Sequence, residues 1–358
     1  MNTVKHLELF SGIGGFRSAF DHLASDYNFK AECVGFSEID KFASDVYKAN
    51  YSNDGAVEIG DIVSFTENNE NIKELEDFDI LTGGFPCQAF SMMGYQKGFE
   101  DDRGNLFFNI AKILEVKQPK FVLLENVRNL KNHDKGNTFK VIKATLEDLG
   151  YHVYYDIFNT KDFKLAQTRN RVYIFCSRID LGEDFTFSSD DIIKSFENVD
   201  NSSLLIQKDI LDVLAKDVDA KYLLSERIKP TILSDGTGGY NSKSKINLLI
   251  ARPLTATMVK MHRACQDNYY SLDFINSSNP YEYLEKELNK DELLNSKIRK
   301  LTPEEAYELQ GFSREMVVKA RNIGISEHQL YKQAGNAASV NVIYAILKYL
   351  LIDHRILG

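Results

Sequence analysis

The sequence predicts an α/β protein, a sheet with helices on both faces, joined to a smaller irregular, mainly β domain. Three observations carry this. Up to about residue 177, short apolar runs alternate with helical-period segments, the order that builds a largely parallel sheet. Phe121-Val122-Leu123-Leu124 is apolar throughout, as in a strand buried on both faces. From 178 to 298 the alternation gives way to short segments, Gly-rich turns and long polar stretches. Helical periodicity returns in Thr302 to Gln310 and Val340 to Leu351. The expected division is therefore a large domain at 1–177, a small domain at 178–298 and a return to the large domain at 299–358.

The elements follow in order. His6 to Phe10 reads as a strand, closed by Gly14-Gly15. Phe16 to Ala24 puts Phe16, Ala19, Phe20 and Leu23 on one helical face. Ala31 to Ser37 is a second strand, and Asp40 N-caps a helix over Asp40 to Ala49. Phe78 to Leu81 is a third strand, with Gly83-Gly84 read as its turn. Helices follow over Asn105 to Val116 and Thr138 to Leu149, the latter stopped by Gly150. Tyr151 to Phe158 and Arg171 to Cys176 are two further strands.

Composition removes several classes. Hydrophobic content of 43% and charged content of 27% fit an ordinary globular chain. No run of about 18 apolar residues occurs, so no membrane-spanning helix is expected. Cys33, Cys87, Cys176 and Cys265 stand far apart, which argues against zinc or disulfides and suits a reducing cytosol. No metal is expected.

Phe10-Ser11-Gly12-Ile13-Gly14-Gly15 lies between a strand and a helix, where Gly12, Gly14 and Gly15 let the backbone approach a ligand. Arg17 stands where a dinucleotide fingerprint needs its third glycine, which disfavours a nicotinamide oxidoreductase. Glu38 ends the second strand, and Asp61 follows Gly60. Acids at consecutive strand ends suit ribose and an adenine amino group, so an adenosine-containing cofactor is expected.

Gly83-Gly84-Phe85-Pro86-Cys87-Gln88 places a thiol beyond the third strand, at the sheet edge where ligands bind. Cys33 and Cys176 lie in apolar strands and read as inert. Cys87 lies in a Pro- and Gly-flanked loop and reads as a nucleophile, given local charge to lower its pKa. Glu125-Asn126-Val127 closes the next strand and offers a general acid. In Gln167-Thr168-Arg169-Asn170-Arg171 the two arginines share one face of an extended segment, suited to clamping an anion.

With these residues in order, the chain resembles the bacterial DNA (cytosine-5)-methyltransferases of restriction–modification type. The matching segments are FSGIGG at 10–15, Glu38 in FSEID, GDI at 60–62, GGFPCQAFS at 83–91 and QKGFEDDRGNLFF at 96–108. They continue with ENV at 125–127, QTRNRVYI at 167–174, RKLTPEEAYELQGF at 299–312 and YKQAGNAASVNV at 331–342. The resemblance implies a Rossmann-like S-adenosylmethionine-dependent methyltransferase sheet with a target-recognition domain at 178–298. It implies that Cys87 attacks C6 of a flipped-out cytosine, that Glu125 protonates N3 and that Arg171 and Arg169 assist. Phe10, Glu38, Asp61, Ile62 and Asn336 match positions around S-adenosyl-L-methionine, with Gly12, Gly14, Gly15, Pro86 and Leu106 beside them. Ile39 stands where the family often has Trp and offers an apolar face to adenine. Ser91 to Leu106 matches a mobile catalytic loop. Gln88, Ser91, Met93 and Arg103 then face DNA, with Met93 at a family serine position. The family's Thr-Leu pair aligns with Pro253-Leu254, followed by Thr255. Tyr240, in a Gly-rich turn, aligns with a residue that fills the gap left by the base.

Net charge is −9, which spread evenly would disfavour nucleic acid. It is not even. Residues 181–220 carry net −7, 161–180 net +3 and 221–265 net +6. Arg252, Lys260 and Arg263 lie in the last of these, so DNA is expected to meet one basic cleft. The partner is double-stranded DNA; no membrane and no obligate protein partner are expected, and the resemblance implies a monomer in the bacterial cytoplasm, at the nucleoid through DNA. The alternative, a tRNA cytosine-5 methyltransferase of the same fold, carries Cys-Phe-Thr, a tripeptide that does not occur here. A second alternative, a catalytically dead scaffold, is disfavoured by the intact Cys87, Glu125 and Arg171 set.

Overall fold

The computed structural model describes residues 3–51, 55–86, 106–197, 199, 202–235, 244–260, 264–286 and 289–357. The chain divides into two compact units. One comprises 1–163, 170–204 and 338–358; the other comprises 164–169 and 205–337. These cuts differ from the division drawn from motif order, which remains a proposal about roles.

The first unit is built on a seven-stranded sheet of order β3-β2-β1-β4-β5-β7-β6. The strands are β1 (Thr3–Leu9), β2 (Lys30–Ser37), β3 (Val57–Glu58), β4 (Ile80–Gly84), β5 (Phe121–Val127), β6 (His152–Asn159) and β7 (Asn170–Ser177). Pairing is parallel from β3 to β5, whereas β7 runs antiparallel to both β5 and β6. The helices are α1 (Gly15–Tyr27), α2 (Lys41–Tyr51), α3 (Ile62–Glu67), α4 (Asn69–Glu74), α5 (Leu106–Lys117), α6 (Asn137–Asp148) and α7 (Ser189–Glu197). The sequence reading had no counterpart for α3, α4 or α7. Phe121 to Leu124 are fully buried, as expected of a central strand covered on both faces. One core cluster joins Leu7 and Leu9 of β1, Leu81 of β4, Val122 and Leu124 of β5 and Val172 and Ile174 of β7 to Phe107, Ile110 and Leu114 of α5.

Gly83 and Gly84 are not a turn, as the sequence reading had them. They complete β4, paired to Leu124 and Glu125 of β5. A Cβ on Gly83 would lie 2.9 Å from the Leu9 carbonyl oxygen. Glycine therefore serves close strand approach here. The helix Val340–Lys348 packs on α1, and its residues from Val340 to Leu347 are all buried.

No unbroken run of about 18 apolar residues occurs in the sequence, but one stretch near the C-terminus is apolar on average. The stretch Glu327–Asp353 passes a length and hydropathy test for crossing a membrane, with mean hydropathy 1.3. Its apolar window is 83% buried, so core packing accounts for the composition.

In the second unit, β8 (Tyr269–Ser271) and β9 (Ile298–Lys300) form an antiparallel pair. Tyr269 and Ile298 pack with Ile232, Leu233 and Ala264. The segment 299–305 is tied by a fully buried ion pair. Arg299 donates through Nη1 and Nη2 to Glu305 at 2.8 and 2.7 Å. Glu305 also accepts from the Thr302 amide, closing a capping box on the helix Pro303–Glu308.

Candidate active site

The carboxyl ends of β1 and β2 come first. Beyond Leu9 the backbone turns left-handed at Phe10 (φ 53°), Gly12 (φ 55°) and Gly14 (φ 89°). Glycine has no steric objection to this region; Phe10 does, and holding it there is a strain that clusters at ligand sites. Gly15 opens α1 where a Cβ would meet the Ala338 carbonyl at 2.8 Å. Glu38 locks the turn: its Oε2 accepts from the Gly12 amide at 2.8 Å and its Oε1 from the Asp40 amide at 2.7 Å. Burial pushes the Glu38 carboxyl above its ordinary value, against those hydrogen bonds.

Ile39, next in the chain, is 76% exposed, and Phe42 is also exposed. Ile39 thus leaves an apolar side chain bare just beyond β2, with Phe42 three residues on; no motif in the sequence marks Phe42. Asp61 caps α3, accepting from the Val63 amide at 3.0 Å and the Ser64 hydroxyl at 2.7 Å. The Ser64 bond chiefly holds its pKa below the usual value. Ile62 is buried in the core. Ser11 Oγ is buried and has no hydrogen-bond partner among the described residues, a second feature the sequence did not signal. An orphaned hydroxyl in a left-handed glycine turn, beside a strand-end acid and an exposed apolar side chain, fits an adenosine-bearing ligand.

The second group lies at β4, β5 and β7. Glu125 pairs across the ladder with Tyr173, and Arg171 with Val127. Residues two apart share a face, so Glu125 and Arg171 are diagonal neighbours on one side of the sheet. Arg171 Nε lies 2.9 Å from Glu125 Oε1, with both side chains largely buried. A Cβ on Gly84 would lie 3.3 Å from Glu125 Oε2. The Asn126 side-chain amide donates through Nδ2 to the Phe85 carbonyl at 2.7 Å. The loop leading into Pro86 is thus tied to the end of β5. The sequence placed Asn126 only inside Glu-Asn-Val; its tie to Phe85 needed the β4–β5 pairing to be seen. Pro86 is exposed and Leu106, at the start of α5, is half-buried.

Cys87, Gln88, Ser91, Met93, Arg103, Tyr240 and Arg263 lie outside the described residues. Cys33 and Cys176 are buried, and burial raises the Cys176 thiol far above its ordinary value. No cluster of potential metal ligands occurs among the described residues.

The third group belongs to the second unit. Arg169 is 2% exposed. It donates through Nη1 to the Leu254 carbonyl at 2.9 Å and through Nη2 to those of Gly335 and Ala337, each at 3.0 Å. It shares the motif with Arg171 and has quite different surroundings. Thr255, Lys260 and Asn336 are exposed. Arg252 is half-buried and donates to the Lys245 carbonyl at 3.1 Å. Lys229, counted in the basic stretch, is buried and bonded to the Ser296 carbonyl and Glu226, so it contributes nothing to a basic surface.

A sheet whose reversed penultimate strand carries Arg171 to the Glu125 edge, with a glycine turn and strand-end acid at the first crossover, defines the S-adenosylmethionine-dependent methyltransferase fold. Solved structures share it. The Entamoeba histolytica methyltransferase EhMeth superposes with TM-score 0.71 at 21% identity, over 99% of each chain. The S. pombe Dnmt2 methyltransferase gives 0.71 at 20% identity, over 98% of each chain.

Residues 4–351 match the family described as C-5 cytosine-specific DNA methylase. Type II methyltransferase M.SsoII of Shigella sonnei is 37% identical over 355 residues, covering 96% of this chain and 79% of the relative. Type II methyltransferase M.HhaI of Haemophilus parahaemolyticus is 35% identical over 351 residues, covering 96% and 93%. The chain belongs to the C-5 cytosine-specific DNA methylase family. It is a DNA cytosine-C5 methyltransferase of restriction–modification type.

Proposed function

We propose that the enzyme transfers a methyl group from S-adenosyl-L-methionine to C5 of a flipped-out cytosine in double-stranded DNA, through a covalent Cys87–C6 adduct. The observation that carries this reading is the Glu125–Arg171 pair at 2.9 Å. It stands at the sheet edge where Asn126 holds Phe85, two residues before Cys87.

The Cys87 thiolate attacks C6, and the Glu125 carboxyl, once protonated, gives its proton to N3 so that negative charge does not build up on the ring. Arg171 orients the Glu125 carboxyl. S-adenosyl-L-methionine supplies the electrophilic methyl that C5 takes, and S-adenosyl-L-homocysteine is the product. A base then removes the C5 proton, the C6–sulfur bond breaks with its electron pair returning to Cys87, and N3 gives up its proton. Flipping is required because a thiol cannot reach C6 inside a stacked duplex, and it costs a few kcal/mol.

The cofactor is held by the Phe10 to Gly15 turn, Glu38, Ile39, Asp61 and Ile62, with Pro86, Leu106 and Asn336. DNA is met by the basic cleft around Arg252, Thr255, Lys260 and Arg263 and by Gln88, Ser91, Met93, Arg103 and Tyr240. The product protects host DNA against a companion endonuclease. The enzyme acts as a monomer in the bacterial cytoplasm.

Labelled methyl transfer to duplex DNA and to tRNA, with wild type and Cys87→Ala, tests the reading. Label is expected on DNA with wild type only. Label on tRNA alone, or an active Cys87→Ala protein, overturns it.

A further inference from the structure

The segment from Ala251 to Thr255 is fixed by the QTR motif at both ends of one residue. The Leu254 amide donates to Gln167 Oε1 at 2.9 Å, and the Leu254 carbonyl accepts from Arg169 Nη1 at 2.9 Å. The Leu254 side chain is buried. Upstream, the Thr168 amide donates to the Ala251 carbonyl at 2.8 Å and the Ala251 amide to the Ala166 carbonyl at 2.7 Å. With Leu254 held, the exposed Thr255 has its direction set by its neighbour.

The same guanidinium holds the Gly335 and Ala337 carbonyls, on either side of exposed Asn336. A second observation ties these segments. A Cβ on Gly335 would fall on the Thr255–Ala256 peptide, so the two backbones touch where only glycine fits. The segment carrying Thr255 and the segment carrying Asn336 therefore rest on each other, clamped by one buried arginine.

We infer that Arg169 and Gly335 form a latch that couples cofactor contact at Asn336 to DNA contact at Thr255. The inference rests on the functional reading above for what Asn336 and Thr255 touch. Arg169 is then a positioning residue. Ordering one segment orders the other, and linkage makes the effect reciprocal: a cofactor product bound first tightens DNA, and DNA bound first tightens the cofactor.

Hydrogen exchange of the full-length wild type, with S-adenosyl-L-homocysteine and without DNA, is the test. The amides of Leu254, Met258 and Val259 are all hydrogen-bonded and are expected to slow by at least about fivefold. In parallel, the ratio of DNA affinities with and without S-adenosyl-L-homocysteine is measured for wild type and Arg169→Lys. The ratio is expected to fall toward one in the variant, an effect that uniform weakening of the fold does not produce. Calorimetric binding of S-adenosyl-L-homocysteine without slowed exchange at 254–259, or an undiminished ratio in Arg169→Lys, overturns the latch alone. Absence of binding by wild type removes the cofactor reading and the latch with it. If Arg169→Lys does not fold, the wild-type exchange result decides.

Discussion

Arg171 reaches Glu125 at 2.9 Å because β7 runs backwards between β5 and β6. Reversal sets residue 171 opposite 127 and residue 173 opposite 125, which puts arginine and glutamate on one face. Glu125→Gln keeps the shape and removes the carboxyl proposed to protonate N3. A loss of about 10²–10⁴-fold in turnover is expected, on the usual scale of general acid catalysis. Arg171→Ala leaves Glu125 without its orienting cation and is expected to fall in the same range. Single-turnover methyl transfer checks both, and near-wild-type turnover in either removes that residue from the chemistry.

Asn126 gives a separable prediction. Its amide is the described donor to the Phe85 carbonyl. Asn126→Ala strands that buried acceptor, at about 1–3 kcal/mol, and unties the loop before Cys87. Urea unfolding should register the first effect. A fall in turnover larger than the fall in cofactor affinity should register the second.

Gly83→Ala tests the close approach of β1 and β4. The added methyl meets the Leu9 carbonyl oxygen at 2.9 Å and the Leu9 Cβ at 3.3 Å. A ladder-bound backbone gives way poorly, so a loss of about 1–3 kcal/mol in stability is expected. An unchanged melting temperature would contradict this.

Beneath the glycine turn, Glu8 and His6 are fully buried on the α1 side of β1, with His6 stacked on Phe20. Burial pushes the Glu8 carboxyl up to about 8, against the Arg17 charge and bonds from α1 amides and Tyr47. Burial holds His6 down to about 3. Between 4.5 and about 8 the folded state keeps a proton on Glu8 that the unfolded chain has lost. The Glu8 contribution therefore fades as pH rises through that window. His6 acts oppositely, its contribution lost as pH falls from 6.5 toward about 3. Above 6.5 only Glu8 of the two is active. Denaturant midpoints are expected to fall from pH 6.5 to 8 in wild type and to flatten in Glu8→Gln.

DNA affinity is expected to fall steeply with salt, because each phosphate contact releases counterions. Anisotropy titrations from 50 to 200 mM salt, roughly the range over which several contacts become visible, measure the slope. Lys260→Ala should flatten it slightly, whereas Lys229→Ala should not, since Lys229 is buried and paired. A slope near zero in wild type would count against a basic cleft.

Much of this was legible along the chain. Local periodicity marked β1, β2, β5, α1 and α6, since the covering of a strand or helix face is written in the residues that form it. Motif order marked Glu38, Glu125 and Arg171. The limits were equally physical. Gly83-Gly84 read as a turn because glycine in sequence carries no sign of the neighbour it makes room for. Asn126 read as part of a motif because its acceptor lies on another strand. Arg169 and Arg171 read as a pair because period two sets a shared face only while the chain stays extended in one ladder. Gln167 instead bridges to Ala251, while Asn170 begins β7.

The sequence by itself marked the residues proposed to carry the chemistry and most strands of the large sheet, because side-chain type and period are local properties. The tertiary structure alone decided who meets whom. Strand order and the reversal of β7 turned Glu125 and Arg171 into a pair, and the approach of Thr255 to Gly335 turned Arg169 into a clamp. Both contacts join residues distant in the chain, and only the packed fold fixes such distances.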